Sequence, residues 1–442
     1  MRYDKGRKPV GVMNTDHIYN LFKNSAGVNT DSRNIKKNEI FFALKGENHN
    51  GNKYAAEALE KGALCAVIDD PAFEINGTVL VNNTLSELQE LALHHRKMLN
   101  ITILAITGSN GKTTTKELIS SILSKRKKVH FTKGNLNNHI GVPLTILSAP
   151  ADTEIMVIEM GASHIGEIRE LCNIARPDYG IITNIGTAHI EGFGSFEGVI
   201  KTKTELYEYL QKTNGLAIYN ESNPLLSEKI SDMAVRAIPY SCPDGTELNI
   251  ESQESNIFLK IKAVYKNREY IINTNLFGAY NIENIKAAIA TGLFFNIPPE
   301  EIISAIREYN PENNRSQIKD TGKNVLICDS YNANPSSMTK AIQSFLKFDV
   351  DKKAVVLGDM LELGKKSEQE HLKILQEINY IKPENVFLVG HIFSKIAADS
   401  DYTLFENAKN LRNYFIDKKM KGFTILIKGS RSIGLEKLYD VL

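Results

Sequence analysis

The stretch of residues 101–125 constrains the fold of this chain more than any other. It opens with ITILAIT, an apolar β-branched run that is typical of a buried strand, and it turns through GSNGKTT. It then continues as TKELISSILSK, in which the apolar residues share one helical face. Glycines let backbone N–H groups approach a phosphate, and a helix N-terminus adds positive potential. The stretch therefore predicts a strand, a phosphate-binding loop and a helix.

The residues of this loop are predicted to contact a nucleotide. Lys112 adds a full positive charge, and Thr113 can offer its hydroxyl to Mg²⁺. The loop is the shorter T-G-S-N-G-K-T form, because the general G-x-x-x-x-G-K-[ST] pattern needs a glycine where Ile106 stands. The alternative, a glycine turn with a solvent-facing lysine, is disfavoured by the flanking strand and helix. The predicted nucleotide contacts of the loop are Gly108, Ser109, Asn110, Gly111, Lys112, Thr113 and Thr114.

Composition limits the classes of protein that remain. The 442 residues are enough for about three domains. Lys and Arg total 53 against 52 for Asp and Glu, so no net field favours nucleic acid or an anionic membrane. No apolar run approaches the roughly 18 residues of a membrane-spanning helix, and the basic N-terminus lacks the apolar core of a signal peptide. Four dispersed cysteines suit a reducing compartment, so we expect a cytoplasmic protein without membrane insertion.

The order of predicted elements indicates an α/β protein of three domains. Residues 1–97 form a small α/β domain, and residues 98–313 form a doubly wound, mostly parallel sheet that contains the phosphate loop. Residues 246–275 interrupt that alternation, and their two strand patterns predict an antiparallel excursion in the form of a hairpin. Residues 314–442 contain four apolar strands with helices between them, which predicts a Rossmann-like domain. This last domain has no G-x-G-x-x-G, so a dinucleotide is not indicated.

Several polar side chains follow predicted strands or begin a helix. Glu159 ends the strand EIMVIE, where a Mg²⁺ ligand is usual, although a helix cap or a surface ion pair is the alternative. His189 follows another strand and is either a ligand or an ordinary loop histidine. Asn281 and Asn284 lie three residues apart, and a carboxamide can pair with N6 and N7 of adenine. A capping role remains open for Asn281.

Taken together, the motifs resemble the Mur ligases. The similarity rests on TGSNGKTT, GNLNNHIGVPLT, VIEMGAS, TNIGTAHIEGFGS, DSYNANPSSM, LGDMLELG and KGSRS, and it runs from about Asp31 to the C-terminus. More narrowly, the chain is similar to the branch that joins D-Ala-D-Ala to UDP-N-acetylmuramoyl-tripeptide in peptidoglycan precursor synthesis. The resemblance implies a UDP-substrate domain, a central ATP-binding domain and a C-terminal domain that binds the incoming dipeptide. It also implies an ADP-forming reaction through an acyl phosphate.

The resemblance assigns roles to individual residues. The implied catalytic residues are Lys112, His189, Lys203 and Arg315. Two Mg²⁺ ions are implied, with ligands from Thr113, Glu159, His189 and Lys203 as N6-carboxylysine. On the residues alone, Lys203 could instead be a solvated helix lysine paired with a glutamate. Further implied ATP contacts are Asn281, Asn284, Arg315 near the γ-phosphate and Asp329 near the ribose.

The two other substrates have implied contacts of their own. Those for the UDP-substrate are Ser32, Arg33, Lys45, Gly46, Asn137 and Asn138. Those for the dipeptide are Asn332, Asn334, Lys428, Ser430 and Arg431. The chain departs from the family where many members have a histidine and it has Tyr280. We expect a monomer, with a hinge at residues 311–315.

Two rival functions remain open on the sequence. One is another ligase of the same superfamily, either one that adds the third residue of the peptide or a folylpolyglutamate synthase. The D-N-P-R motif of ligases that add diaminopimelate does not occur in this chain. The other rival is a phosphate-loop ATPase that acts as a conformational switch, and it would not require the strand-end motifs of the last domain.

Overall fold

The N-terminal part of the chain forms two small sheets. A computed structural model describes residues 15–186, 190–253, 257–381, 383 and 385–442. The first elements are α1 (Thr15–Lys23), β1 (Val28–Asn29), β2 (Ile40–Phe42), β3 (Lys45–Gly46), β4 (His49–Asn50), α2 (Ala55–Glu60), β5 (Cys65–Ile68), β6 (Thr78–Leu80) and α3 (Thr84–Met98). Strands β1, β2, β5 and β6 form a parallel sheet in that order, and β3 pairs antiparallel with β4.

The middle part alternates strands and helices, as the sequence predicts. Its elements are β7 (Thr102–Thr107), α4 (Lys112–Leu123), β8 (Val129–Phe131), α5 (Gly141–Leu147), β9 (Ile155–Glu159), α6 (Glu167–Ala175), β10 (Tyr179–Ile182), α7 (Ile190–Phe193), α8 (Phe196–Thr213), β11 (Leu216–Tyr219), α9 (Pro224–Asp232), β12 (Ala237–Pro239), β13 (Leu248–Gln253), β14 (Phe258–Tyr265), β15 (Arg268–Phe277), α10 (Ile282–Phe294) and α11 (Pro299–Glu308). One six-stranded sheet has the order β12-β11-β10-β7-β9-β8. The predicted excursion is confirmed, but it has three antiparallel strands, β13-β14-β15, where the sequence suggested a hairpin.

The C-terminal part is a doubly wound sheet. Its elements are β16 (Gln317–Asp320), β17 (Val325–Asp329), α12 (Pro335–Leu346), β18 (Lys353–Gly358), α13 (Ser367–Ile381), β19 (Asn385–Val389), α14 (His391–Ile396), β20 (Thr403–Phe405), α15 (Ala408–Asp417) and β21 (Thr424–Lys428). The strand order is β16-β17-β21-β18-β19-β20, and only β16 pairs antiparallel. The four inner strands agree with the apolar runs of the sequence, whereas β16 and β20 are not predicted by it. Both are short edge strands that lack a continuous apolar run.

The core of this C-terminal sheet shows why its inner strands are apolar throughout. Along β18, Val355 and Leu357 face a cluster that includes Met338 and Phe345 of α12. The intervening Ala354 and Val356 face a second cluster. Successive strand residues point to opposite faces, and helices cover both faces here, so both alternating sets of side chains are buried.

The chain divides into two compact units. The first contains the described residues up to Ala105, with Lys128–Gly161 and Arg169–Pro177. The second contains Ile106–Lys127, Ala162–Ile168 and the described residues from Asp178 onward. The three-domain boundaries at residues 97 and 313 stay predictions. No helix within the described ranges is long and apolar enough to cross a membrane.

Candidate active site

The phosphate loop joins β7 to α4, and two of its glycines adopt conformations that other residues resist. Gly108 has φ +141°, and Gly111, directly before α4, has φ +80°. A Cβ atom at Gly108 would overlap the Thr183 hydroxyl. A Cβ atom at Gly111 would overlap the side-chain oxygen of Asn284. Glycine is therefore required at both positions by backbone angle and by space.

The segment that follows β10 holds the loop in this shape. The Ser109 backbone N–H donates to the Asn184 carbonyl over 2.9 Å. The Asn110 N–H donates to Asn184 Oδ1 over 3.0 Å, and the Thr183 hydroxyl donates to the Asn110 carbonyl over 2.6 Å. The Gly186 N–H donates to Ser109 Oγ over 2.9 Å. Sequence reasoning assigned no role to Thr183; only the tertiary contact shows that it supports the loop.

Two loop side chains point in different directions. The Lys112 ammonium donates to the carbonyls of Gly108 and Ser109, over 2.7 and 3.3 Å, so it folds back over the loop. The Asn110 carboxamide donates to Ser336 Oγ over 3.0 Å and accepts from Asn334 Nδ2 over 2.7 Å. Asn334 also caps α12. Asn110, predicted to contact ATP, and Asn334, predicted to contact the dipeptide, are thus bonded to each other.

Lys203 lies inside the protein, which rules out the solvated-lysine alternative. Only 2% of Lys203 is exposed to solvent, whereas Lys201, two positions earlier in the chain, is exposed. Burial lowers the pKa of the Lys203 ammonium to about 7, and the charge of Lys112 acts in the same direction. Glu167 and Glu205 oppose that shift. A large fraction of this amine is therefore neutral at physiological pH.

The two asparagines predicted to contact adenine bond to each other. Asn284 Nδ2 donates to Asn281 Oδ1 over 2.7 Å, and Thr115 Oγ1, on α4, donates to Asn284 Oδ1 over 3.1 Å. Asn281 precedes α10, but its side chain makes no capping bond. Its Nδ2 donates instead to the Phe277 carbonyl and to Ser316 Oγ, over 2.7 and 3.3 Å. The capping alternative for Asn281 is therefore wrong, and both carboxamides are fixed beside the phosphate-loop helix.

Arg315 and Asp329 are connected to these two asparagines through Ser316. Ser316 accepts from Asn281, donates to Asp329 and follows Arg315 in the chain. The Arg315 guanidinium carbon is 3.6 Å from the centre of the Tyr331 ring, a stacked cation–π contact. Asp329 ends β17 and accepts from the Ser316 backbone N–H over 3.1 Å. Its other oxygen accepts from Lys428 Nζ over 2.6 Å. Asp329, predicted to lie near the ribose, and Lys428, predicted to contact the dipeptide, form a buried ion pair.

The remaining residues predicted for the dipeptide surround the same strand ends. Ser430 Oγ accepts from the Leu361 N–H over 2.9 Å, which joins the KGSRS loop to the DMLELG loop. Arg431 is exposed, and its guanidinium carbon is 5.2 Å from the Tyr331 ring centre. Asn332 is exposed and accepts from the Ala333 N–H. Parallel strands β17, β18 and β21 end together here, which is where such sheets bind ligands.

Two of the residues predicted to bind metal offer hard oxygen atoms. Thr113 lies in the first turn of α4 and is 4% exposed. Glu159 ends β9, is 1% exposed, and accepts from Asn137 Nδ2 over 2.7 Å. Its burial excludes the surface ion pair considered above. His189 lies outside the described residues. Among the residues that are described, no group of three or more His, Cys, Asp or Glu side chains converges as a metal site.

Five of the predicted UDP-substrate contacts are polar residues or glycine of the first unit, and four of them, Arg33, Lys45, Gly46 and Asn138, are exposed. Lys45 makes an ion pair of 2.9 Å with Asp69, and Gly46 beside it is exposed. Arg33 pairs with Asp31 over 2.8 Å, and Ser32 is buried beside them. Asn138 Oδ1 accepts from the Gly141 N–H at the start of α5. Asn137, the sixth predicted UDP-substrate contact, donates to Glu159, a predicted metal ligand. Lys45 and Arg33 are thus each paired with an aspartate of the first unit.

A phosphate loop in a parallel sheet, followed by a second doubly wound domain, defines a nucleotide-dependent α/β enzyme. Three family models match the chain: "Mur ligase family, catalytic domain" at residues 24–103, "Mur ligase middle domain" at 106–292, and "Mur ligase, glutamate ligase domain" at 314–431. A protein of Bacillus subtilis (strain 168) named UDP-N-acetylmuramoyl-tripeptide–D-alanyl-D-alanine ligase is 36% identical, over 93% of this chain and 92% of its own length.

Solved structures agree with the sequence relatives. MurF from Acinetobacter baumannii superposes with a TM-score of 0.83 at 28% identity, covering 93% of this chain and 92% of its own. MurF ligase from Thermotoga maritima in complex with ADP gives 0.81 at 25% identity, covering 95% and 97%. The chain belongs to the Mur ligase family. It is an ATP-dependent ligase with the predicted three-part α/β architecture.

Proposed function

We propose that this chain joins D-Ala-D-Ala to the terminal carboxylate of UDP-N-acetylmuramoyl-tripeptide, with conversion of ATP to ADP and phosphate. The observation that carries the proposal is the phosphate loop, with its two required glycines and Lys112, in a chain that a ligase of that name matches over 93% of its length. The hydrogen bond between Asn110 and Asn334 also supports the proposal, because it joins the loop to the domain expected to bind the incoming amine.

The reaction needs ATP because a carboxylate is a poor electrophile. A carboxylate oxygen of the substrate attacks the γ-phosphorus, the bond to the β-phosphate oxygen breaks, and ADP leaves. The dipeptide amine then attacks the carbonyl carbon of the acyl phosphate, inorganic phosphate leaves, and the amine loses a proton. The protein contributes mainly position and charge to such a reaction.

Lys112 and Arg315 supply the positive charge for the phosphates in this proposal. Lys112 already bonds to loop carbonyls, so a bound phosphate would replace those acceptors. Arg315 stacks on Tyr331, and a planar guanidinium can donate two parallel hydrogen bonds to phosphate oxygens. Asn281 and Asn284 contact the base, and Asp329 approaches the ribose.

Hard oxygen ligands fit Mg²⁺ at the buried Thr113 and Glu159 side chains. Bound there, Mg²⁺ would neutralise the mutual repulsion of carboxylate and phosphate. Asn137 bonds to Glu159 and orients its carboxylate. His189 contributes to a second ion in this proposal.

Lys203 enters the proposal as N6-carboxylysine. An ammonium has no lone pair for a cation, so an unmodified Lys203 would repel Mg²⁺. Burial, which lowers its pKa to about 7, supplies the neutral amine that reacts with CO₂. The nitrogen bonds to the carbon of CO₂ and loses one proton, which leaves a carboxylate-like group on a long stem. That group reaches further than an aspartate or glutamate.

The two other substrates take separate contacts. Ser32, Arg33, Lys45, Gly46, Asn137 and Asn138 bind the UDP-sugar. Asn332, Asn334, Lys428, Ser430 and Arg431 bind the dipeptide, with exposed Arg431 suited to its carboxylate. The four cysteines are free thiols, which fits a protein of the reducing cytoplasm, and we expect it to act there as a monomer.

One experiment separates the proposal from its rivals. ADP release is measured with ATP and Mg²⁺ alone, with UDP-N-acetylmuramoyl-tripeptide, with D-Ala-D-Ala, and with both. We expect steady ADP release only with both, and a product whose mass equals the two substrates less one water. Release without either substrate would indicate an ATPase switch. Release with another amino acid but not with the dipeptide would indicate a different ligase of the superfamily. Lys112→Met is the control for contaminating ATPases.

A further inference from the structure

The linker around Arg315 has an unusual backbone. Asn313, Asn314 and Ser316 all have positive φ, at +59°, +56° and +52°. Asparagine tolerates this left-handed region, but serine seldom adopts it, so Ser316 must be held there by its surroundings. Because Arg315 lies between two left-handed residues, a change of backbone angle at either one would redirect its side chain.

Three polar groups hold Ser316 in place. Its hydroxyl lies 2.9 Å from the Tyr280 hydroxyl and accepts from Asn281 Nδ2 over 3.3 Å. Its backbone N–H donates to Asp329 over 3.1 Å. The residue is 4% exposed, although serine is usually found at the surface. Ser316 is therefore fixed by groups from β17 and from the turn that precedes α10.

The hydrogen bonds of Ser316 connect it to two other parts of the candidate site. Through Asn281 they reach Asn284, which bonds to Thr115 on the phosphate-loop helix. Through Asp329 they reach Lys428 at the end of β21. On the same linker, the Asn314 carbonyl accepts from the backbone N–H of Tyr331, the residue on which Arg315 stacks. Ser316 thus joins the pair expected to contact the base to the arginine expected to contact the γ-phosphate.

We propose that Ser316 is a positioning residue for Arg315: its hydroxyl, held by Tyr280 and Asn281, fixes the linker so that Arg315 meets the γ-phosphate when the base is bound. This inference rests on the proposed function, which gives Arg315 that contact. A purely structural serine would support the fold and would affect ATP and ADP alike. A positioning serine affects the nucleotide that has a γ-phosphate.

The test compares the affinities of the whole chain for ADP and for the β,γ-imido analogue of ATP, each with Mg²⁺, by titration calorimetry. Ser316→Gly removes the hydroxyl and accepts the left-handed angle, so the fold should survive. We expect the preference for the analogue over ADP to fall about tenfold, the size of one lost hydrogen bond. Tyr280→Phe, which removes a single partner hydroxyl, should lower the same preference by a smaller factor.

Two controls make the result decisive. Asn313→Gly relaxes an exposed left-handed residue of the same linker without touching these hydroxyls, and it should leave the preference unchanged. Arg315→Ala should abolish the preference. A normal preference in Ser316→Gly, with a lost one in Arg315→Ala, would overturn the positioning role and leave the proposed function standing. A normal preference in Arg315→Ala would overturn the γ-phosphate contact and the positioning role together. Equal losses in Ser316→Gly and Asn313→Gly would attribute the effect to linker flexibility and also overturn the inference.

Discussion

The close approach of Gly111 to Asn284 gives a prediction whose size follows from the structure. Replacing Gly111 with alanine forces φ +80° on a residue with a side chain, which costs about 1–2 kcal/mol. The new Cβ would overlap Asn284 Oδ1 and lie 3.1 Å from its Cγ. Asn284 must then move, and its bonds to Thr115 and Asn281 are worth about 0.5–1.5 kcal/mol each. We expect Gly111→Ala to lower the free energy of unfolding by about 2–5 kcal/mol.

Gly245 offers a matched control for backbone strain. Its φ is +85°, close to that of Gly111, and a Cβ atom there would meet nothing within 4 Å. Gly245→Ala should therefore cost only the strain, about 1–2 kcal/mol. Denaturant unfolding of both variants measures the difference, which isolates the contact with Asn284.

A double-mutant cycle makes the attribution specific. In Gly111→Ala with Asn284→Ala the overlapping carboxamide is gone, so the two changes should couple by about 1–3 kcal/mol. ADP affinity provides a second measurement, because the loop amides must keep their shape to bind phosphate. Equal costs for the Gly111 and Gly245 variants, or additive costs in the cycle, would refute the proposed contact as the reason for glycine at 111.

Three further predictions follow from charge and burial. Lys112→Met should reduce the rate of ligation by about 10²–10³ and spare the fold, and near-normal turnover would contradict the phosphate-loop assignment. Lys203→Ala should lose activity and recover part of it with added acetate, whereas Lys201→Ala should be mild; activity that is indifferent to CO₂ and bicarbonate would count against the carbamate. His371 is buried and accepts from the Met360 N–H over 2.9 Å, and burial lowers its pKa. The unfolded chain therefore binds the proton more readily, so stability should fall as pH drops below about 6.5. His371→Gln should flatten that dependence in unfolding measured between pH 8 and 5.5, and an equally steep fall in the variant would exclude His371 as its source.

Local patterns were enough to predict the alternating α/β order and the phosphate loop. The turn chemistry of GSNGKTT, the apolar run before it and the helical period after it all lie within 25 consecutive residues, and the structure places β7 and α4 there. Glu159 could be predicted as a candidate ligand for the same reason, because a carboxylate that ends an apolar strand is visible in one segment. The short edge strands β16 and β20 could not be predicted in this way. They are defined by hydrogen bonding to neighbouring strands, and their own composition carries no strand pattern.

Tertiary structure alone decided the environment of each side chain. Lys201 and Lys203 have similar neighbours in sequence, yet only Lys201 is exposed. Lys203 is buried, with 2% of its surface accessible, and burial lowers its pKa to about 7. The Asn110–Asn334 bond joins residues 224 positions apart, and the contact of Asn281 with Ser316 spans 35. Burial and long-range hydrogen bonds depend on which distant segments pack together, and no local period or turn signal contains that information.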